Sequence, residues 1–228
     1  MELAIDTSTD VASIALSSDG KVIAELTWHS GQNHTVELVP HLNHLLSQAK
    51  LELKDIKSVV VAKGPGSFNG LRVGMSFAKG LALSLAIPIV GISTLEVEAF
   101  PYAFTGLPIC PIQNAGRGET ATALFQTKRG KWYRLVEEHI TTLDNLLPEI
   151  KRQTIFCGRV PEEVATQLKA KLGRKALIVE NPAALRRAGY LAALGWQRLK
   201  ESDFDHSPTL EPLYLRRPAI TTSKKKQN

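Results

Sequence analysis

The sequence predicts an α/β protein of two domains in which one order of elements occurs twice: three strands, then helix, strand, helix, strand, helix. Three observations predict it. Short β-rich apolar runs alternate with longer stretches of helical period over residues 1–102. The same alternation starts again near residue 109. Between the copies, residues 103–108 carry Phe, Thr, Gly and Pro, which break either pattern. A chain of 228 residues can bury a core for each copy.

In the first copy, Leu3-Ala4-Ile5 is a short apolar strand, and Val11 to Leu16 a second. Asp19-Gly20 is a two-residue hairpin signal leading into a third at Val22 to Leu26. From His34 a helical period places Val36, Val39, Leu42, Leu45 and Leu46 near one stripe. Pro40 lies within it, so the helix is expected to kink or to start later. Ser58 to Ala62 reads as a strand buried on both faces. A helix over Leu71 to Leu85, a strand over Ile87 to Ile92 and a helix from Thr94 towards Tyr102 complete this copy.

In the second copy, strands are predicted at Ile109 to Ile112, Thr120 to Gln126 and Trp132 to Glu137, with Arg129-Gly130 a turn. A helix near Leu143 to Ile150, the strand Thr154 to Cys157 and a helix over Glu162 to Lys171 follow. The strand Ala176 to Val179 and a helix from Ala183 to Lys200 end the repeat. A duplicated βββαβαβα order is that of the actin-like/Hsp70-like (ASKHA) superfamily, with mixed sheets flanked by helices. Domains are expected at 1–103 and 104–220, with a basic disordered tail at 221–228.

The apolar and charged fractions, 43% and 22%, are those of an ordinary globular protein. No apolar run approaches the roughly 18 residues of a membrane span, and the strand-like ELAID start argues against a signal peptide. Cys110 and Cys157 sit in apolar runs and read as reduced core thiols, which suits the cytoplasm. The net charge of +6 is uneven: residues 1–100 hold 7 Lys/Arg against 10 Asp/Glu, residues 101–228 hold 21 against 12. A basic second half suggests a solvated surface or weak attraction to nucleic acid, although no RNA-binding motif accompanies it.

The stretch AKGPGSFNGLRVG, residues 62–74, is the most distinctive. Glycine loops before a helix can hold phosphate on backbone N–H groups. This one fails the usual templates: Asn69 or Leu71 stands where a P-loop needs its second glycine. Asn69 also breaks the dinucleotide pattern, and Pro65 and Asn69 flank Ser67 where a nucleophile elbow needs glycines. Behind the loop, Gly70, Gly74, Ala78, Ala82 and Ala86 recur every four residues. Such a stripe admits a close neighbour, either the protein's own sheet or a partner's helix.

AIDTST, GPGSFNGLRVGMSFAKGLAL followed by IPIVGISTLE, and LEPLYLRRP resemble the TsaB (YeaZ) family, the dimerisation subunit of the bacterial machinery that makes threonylcarbamoyladenosine in tRNA. The resemblance covers most of residues 2–100 and thins beyond 104 apart from the last segment. It implies an actin-like fold and a subunit without catalytic residues. The implied partners are a TsaD-type transferase, bound through the N-terminal domain, and a TsaE-type ATPase. It implies that the partner face is formed by His34, Glu37, Leu38, His41, Leu42 and Leu45 with Gly70, Arg72, Val73, Gly74, Phe77, Ala78, Leu81 and Ala82. A homodimer through that face is expected when the partner is absent.

The chemical groups of the superfamily are incomplete. Catalytic relatives carry a metal-binding histidine pair where this chain has Ser93 to Ala99, and Glu96 and Glu98 point to different helix faces. His34, His41 and His44 share a broad helical face but lack the companion ligands of a zinc site. A remnant of a nucleotide cleft is expected at Asp6, Thr7, Ser8 and Asn114. Asn114 stands where the family shows an acid, and a neutral amide is a poor ligand for Mg²⁺. Asp6 alternatively serves only its own turn. No cofactor or metal is expected in the lone chain, and a nucleotide only at the interface of the complex. The competing readings are an active actin-like ATPase or phosphotransferase and, behind it, a protease.

Overall fold

The computed structural model describes residues 1–179 and 185–216. The first copy contains β1 (Glu2–Asp6), β2 (Val11–Ser18), β3 (Lys21–His29), α1 (His34–Ala49), β4 (Ser58–Gly64), α2 (Phe68–Leu85), β5 (Ile89–Ser93) and α3 (Thr94–Ala99). The second contains β6 (Ile109–Gly116), β7 (Glu119–Lys128), β8 (Lys131–Thr142), α4 (Leu143–Leu146), β9 (Thr154–Cys157), α5 (Glu162–Leu172), β10 (Ala176–Ile178) and α6 (Ala188–Lys200). The predicted order of elements is therefore present in both halves.

The two sheets share one topology, β3-β2-β1-β4-β5 and β8-β7-β6-β9-β10. In each, the first strand pairs antiparallel with the second and parallel with the fourth. This is the duplicated actin-like arrangement. The predicted turns close the leading hairpins: Asp19 and Gly20 take φ of 53° and 72°, and Arg129 and Gly130 take 50° and 75°. Positive φ at both positions matches the right-handed twist of the strands.

Strand alternation builds two layers on the first sheet. Leu3 and Ile5 of β1, with Val59 and Val61 of β4, face α1 and α2. Ala4 and Val60 face the opposite way, towards Leu191, Ala192 and Leu194 of α6. Small residues on both sides bring that helix close; Gly195 leaves no room for a Cβ against Val60. α3 lies between the sheets, where Leu95 and Ala99 join Ile109, Phe125 and Cys157.

Packing does not follow the expected division at residue 103. α6 belongs to the second repeat in sequence but covers the first sheet, because the alanine face of β1 and β2 has no other cover. After it the chain stays on the first sheet: Asp205 bridges Ile89, Leu210 enters the first core, and Leu213 N–H donates to Lys63 O at 2.6 Å. The expected helix start at Ala183, the end of LEPLYLRRP and the basic tail lie outside the described residues.

α1 begins at His34 and runs through Pro40 without interruption. Its buried face is His34, Leu38, Leu42, Leu45 and Leu46, whereas Val36 and Val39 are 70% and 44% exposed. The predicted stripe was thus rotated. Pro40 is exposed, and it lies only six residues beyond the helix start.

Candidate functional site

The glycine loop joins the carboxyl end of β4 to α2, and its glycines answer a local demand. Gly66, Gly70 and Gly74, four apart, press against the turn after β1: a Cβ at 66 would strike Ser8 O, at 70 Thr7 O, and at 74 Thr7 Oγ1. Hydrogen bonds fix the contact. Ser67 N–H donates to Ser8 O at 2.7 Å, Thr7 Oγ1 to Gly70 O at 2.8 Å, and Thr94 Oγ1 to Pro65 O at 2.5 Å. The loop is thus a docking cradle for the chain's own Thr7-Ser8 backbone, and the Ser67 N–H is already committed.

This corrects the expected partner face. Gly70, Gly74, Ala78 and Ala82 are all buried, with Ala78 0% and Ala82 3% exposed, because their stripe meets β1 and the core beneath it. Leu38, Leu42, Leu45 and Leu81 lie in the same core. His34 is also buried. Of the expected set, Arg72 is exposed, and Glu37, His41, Val73 and Phe77 are half-buried. Glu37 accepts from Trp28 Nε1 at 2.9 Å, and hydrogen bonds from Ser30 and Trp28 hold its carboxyl below the usual range. The His41 ring lies 4.3 Å from that of Trp28.

What faces outward on α1 and α2 is a different apolar set: Val36, Val39, Phe68 and Leu83, the last 77% exposed. Hydrophobic period alone assigned Val36 and Val39 to the core; only the helix rotation about its axis separates the two faces. The three α1 histidines diverge, with His34 buried, His41 against Trp28 and His44 exposed. Among the described residues no group of three His, Cys, Asp or Glu could hold a metal ion.

The crevice at the carboxyl ends of parallel strands is where α/β sheets bind ligands, and Asp6 closes β1 there. Its Oδ1 accepts from Ser8 N–H at 2.9 Å and Ser8 Oγ at 2.5 Å. Its Oδ2 accepts from Arg186 Nε. Arg186 continues to Glu98 Oε1 at 2.7 Å and to Ser8 Oγ at 2.5 Å. Side chains of Arg186, Asp6 and Glu98 are 7%, 3% and 7% exposed. Burial opposes the charge on Arg186, but Asp6 and Glu98 outweigh it and hold the guanidinium above its ordinary value. Burial pushes the Glu98 carboxyl up, with Arg186 only partly offsetting it, and Glu98 Oε2 has no partner.

Nearby, Arg159 Nη1 reaches Asp10 Oδ1 at 2.5 Å, joining the turn after β1 to the loop after β9. Both oxygens of Asp6 are thus engaged by the chain itself. Sequence reasoning missed Arg186, which lies 180 residues from Asp6 in a stretch without local pattern. Asn114 sits apart from this cluster. It is exposed, and its Oδ1 accepts from Gly116 N–H at 2.8 Å within its own turn. It lines a cavity of about 380 Å³ with Gly66, Ser67, Tyr214 and Arg216. Glu96 turns the other way from Glu98, as expected, to Arg134 at 3.0 Å.

Comparison with known proteins places these features. The family model described as "TsaD: tRNA N6-adenosine threonylcarbamoyltransferase" matches residues 21–224. The tRNA threonylcarbamoyladenosine biosynthesis protein TsaB of Bacillus subtilis is 37% identical over 218 residues, covering 94% of this chain and 93% of the relative. Its namesake in Escherichia coli is 41% identical over 222 residues, covering 94% of each. The solved structure of YeaZ from Pseudomonas aeruginosa superposes with a TM-score of 0.79 at 21% identity, covering 94% of this chain and 99% of that one.

Proposed function

The chain belongs to the TsaB (YeaZ) family of tRNA threonylcarbamoyladenosine biosynthesis proteins, and from that premise we propose that it is a non-catalytic subunit that binds and activates a TsaD-type transferase. It works on tRNA in the cytoplasm as part of a complex that a TsaE-type ATPase joins. Its partner face is the outward surface of α1 and α2, not the small-residue stripe beneath.

The observation that carries this reading is the exposed apolar set Val36, Val39, Phe68 and Leu83 on two adjacent helices. Apolar patches of this kind mark protein–protein contacts. With the transferase absent, the same face pairs two copies of this chain. The Arg186 cluster supports the non-catalytic half of the reading: a guanidinium fills the place at Asp6 where an ATPase of this fold would put its cation. A contact between the basic second half and tRNA is a minor part of the proposal, and added salt would weaken it steeply.

Reconstitution tests the reading. Transferase, donor-forming enzyme and tRNA are combined with and without this chain, and formation of the modified nucleoside is measured. Modification that needs this chain, together with no ATP turnover by the chain alone, supports the proposal. ATP hydrolysis by the purified chain, or modification that ignores its presence, counts against it.

A further inference from the structure

A second feature of α1 and α2 is independent of the docking reading. Their N-termini converge on one cavity of about 420 Å³, lined by Gly31, His34, Thr35, Ser67, Asn69 and Arg72 among others. Both helices are long, 16 and 18 residues, so each brings a partial positive charge to this end. Asn33 places no side-chain oxygen on the first turn of α1, and Ser67 caps only Gly70 N–H on α2, at 3.3 Å. No acidic side chain lines the cavity, and no acid stands in the first turn of α2. Arg72 supplies a full positive charge, its guanidinium 3.8 Å from the Phe68 ring centroid.

The observation that points to a ligand is His34. It lines the cavity, is only 4% exposed, and its Nδ1 has no hydrogen-bond partner. Its Nε2 is held against the backbone of Gly70, 3.4 Å from where a Cβ would stand. A buried polar nitrogen without a partner is destabilising unless something supplies one. The neighbours offer only donors or hydroxyls: two helix ends, Thr35, Ser67, the Asn69 amide and Arg72. Such a donor-rich concavity suits a tetrahedral oxyanion with several acceptor oxygens.

We infer that the cavity where α1 and α2 begin is a binding site for a phosphate-class dianion, held by the two helix N-termini, His34 and Arg72. The ligand is either free inorganic phosphate or the terminal phosphoryl group of a phosphomonoester.

The test is titration of the full chain with inorganic phosphate at constant ionic strength, followed by the ¹⁵N signals of the His34 ring. Glycerol 3-phosphate is titrated in parallel, and acetate serves as the carboxylate control. Saturable shifts of His34 with millimolar or tighter phosphate are expected, with acetate at least tenfold weaker. Arg72→Ala, an exposed substitution that leaves the core intact, should weaken phosphate at least fivefold, and His34→Gln should do the same. Binding of glycerol 3-phosphate as tight as phosphate identifies a phosphomonoester site, and much weaker binding identifies a free-phosphate site; both support the inference. A His34 signal that does not move up to 50 mM phosphate overturns it. So does acetate binding as tightly as phosphate, or phosphate binding unchanged in Arg72→Ala.

Discussion

Arg186 Nη1 lies 2.7 Å from Glu98 Oε1, and the same guanidinium reaches Asp6 at the carboxyl end of β1. A side chain from the segment before α6 thereby joins the first strand to the helix between the two sheets. Two carboxylates share one guanidinium, so the cluster is neutral only when one acid keeps a proton.

Removing the arginine should be costly. Arg186→Ala leaves Asp6 and Glu98 buried without a cation, a change that typically costs about 3–5 kcal/mol. Urea denaturation should show that loss, and adding Glu98→Gln should recover part of it. A loss below about 1 kcal/mol, the scale of an exposed pair, would mean that the cluster is solvated.

The proton belongs to Glu98, whose carboxyl burial raises from the ordinary 4.5. The folded chain therefore holds a proton that the unfolded chain releases at lower pH. That stabilising contribution is complete below about pH 4.5 and is lost as pH rises through the folded value. Urea melts from pH 4 to 8 should show wild type losing stability relative to Glu98→Gln as pH rises. Parallel curves would place the proton elsewhere.

The stripe under α2 predicts a folding defect, not an interface defect. Gly74→Ala drives a methyl group into Thr7 Oγ1, and overpacking of this kind costs roughly 1–3 kcal/mol. Thermal melts should register the loss. A Gly74→Ala protein as stable as wild type would show that α2 can move off β1.

Both thiols should be inert in the native protein. Burial raises Cys110 to about 12 and Cys157 well above its ordinary value, and the thiolate is the reactive form. Ellman's reagent should titrate two thiols only after denaturation; rapid reaction of either in the folded state would contradict their burial.

Much of this architecture is legible in the sequence because the signals are local. Asp19-Gly20 and Arg129-Gly130 announce their hairpins, and Thr154 to Cys157 reads directly as the strand it forms. The site is less legible. The four-residue spacing of Gly66, Gly70 and Gly74 reveals a close approach but not what approaches, and the answer, Thr7-Ser8, lies some sixty residues away. α6 follows the second repeat in sequence yet covers the first sheet, because the face of Ala4 and Ala15 needs a helix and the chain returns to supply one. Arg186 carries no pattern of its own; its role exists only once Asp6 and Glu98 are brought beside it.

The proposed partner face is tested most directly by gel filtration of this chain mixed with a TsaD-type transferase. Val36→Glu with Leu83→Glu alters exposed positions, where stability should change by no more than about 0.5 kcal/mol each. Wild type should co-elute with the transferase, and the folded double variant should elute apart from it, with tRNA modification falling to the level seen without this chain. Co-elution of the double variant would contradict the assignment of the outer α1–α2 surface as the place where the partner binds.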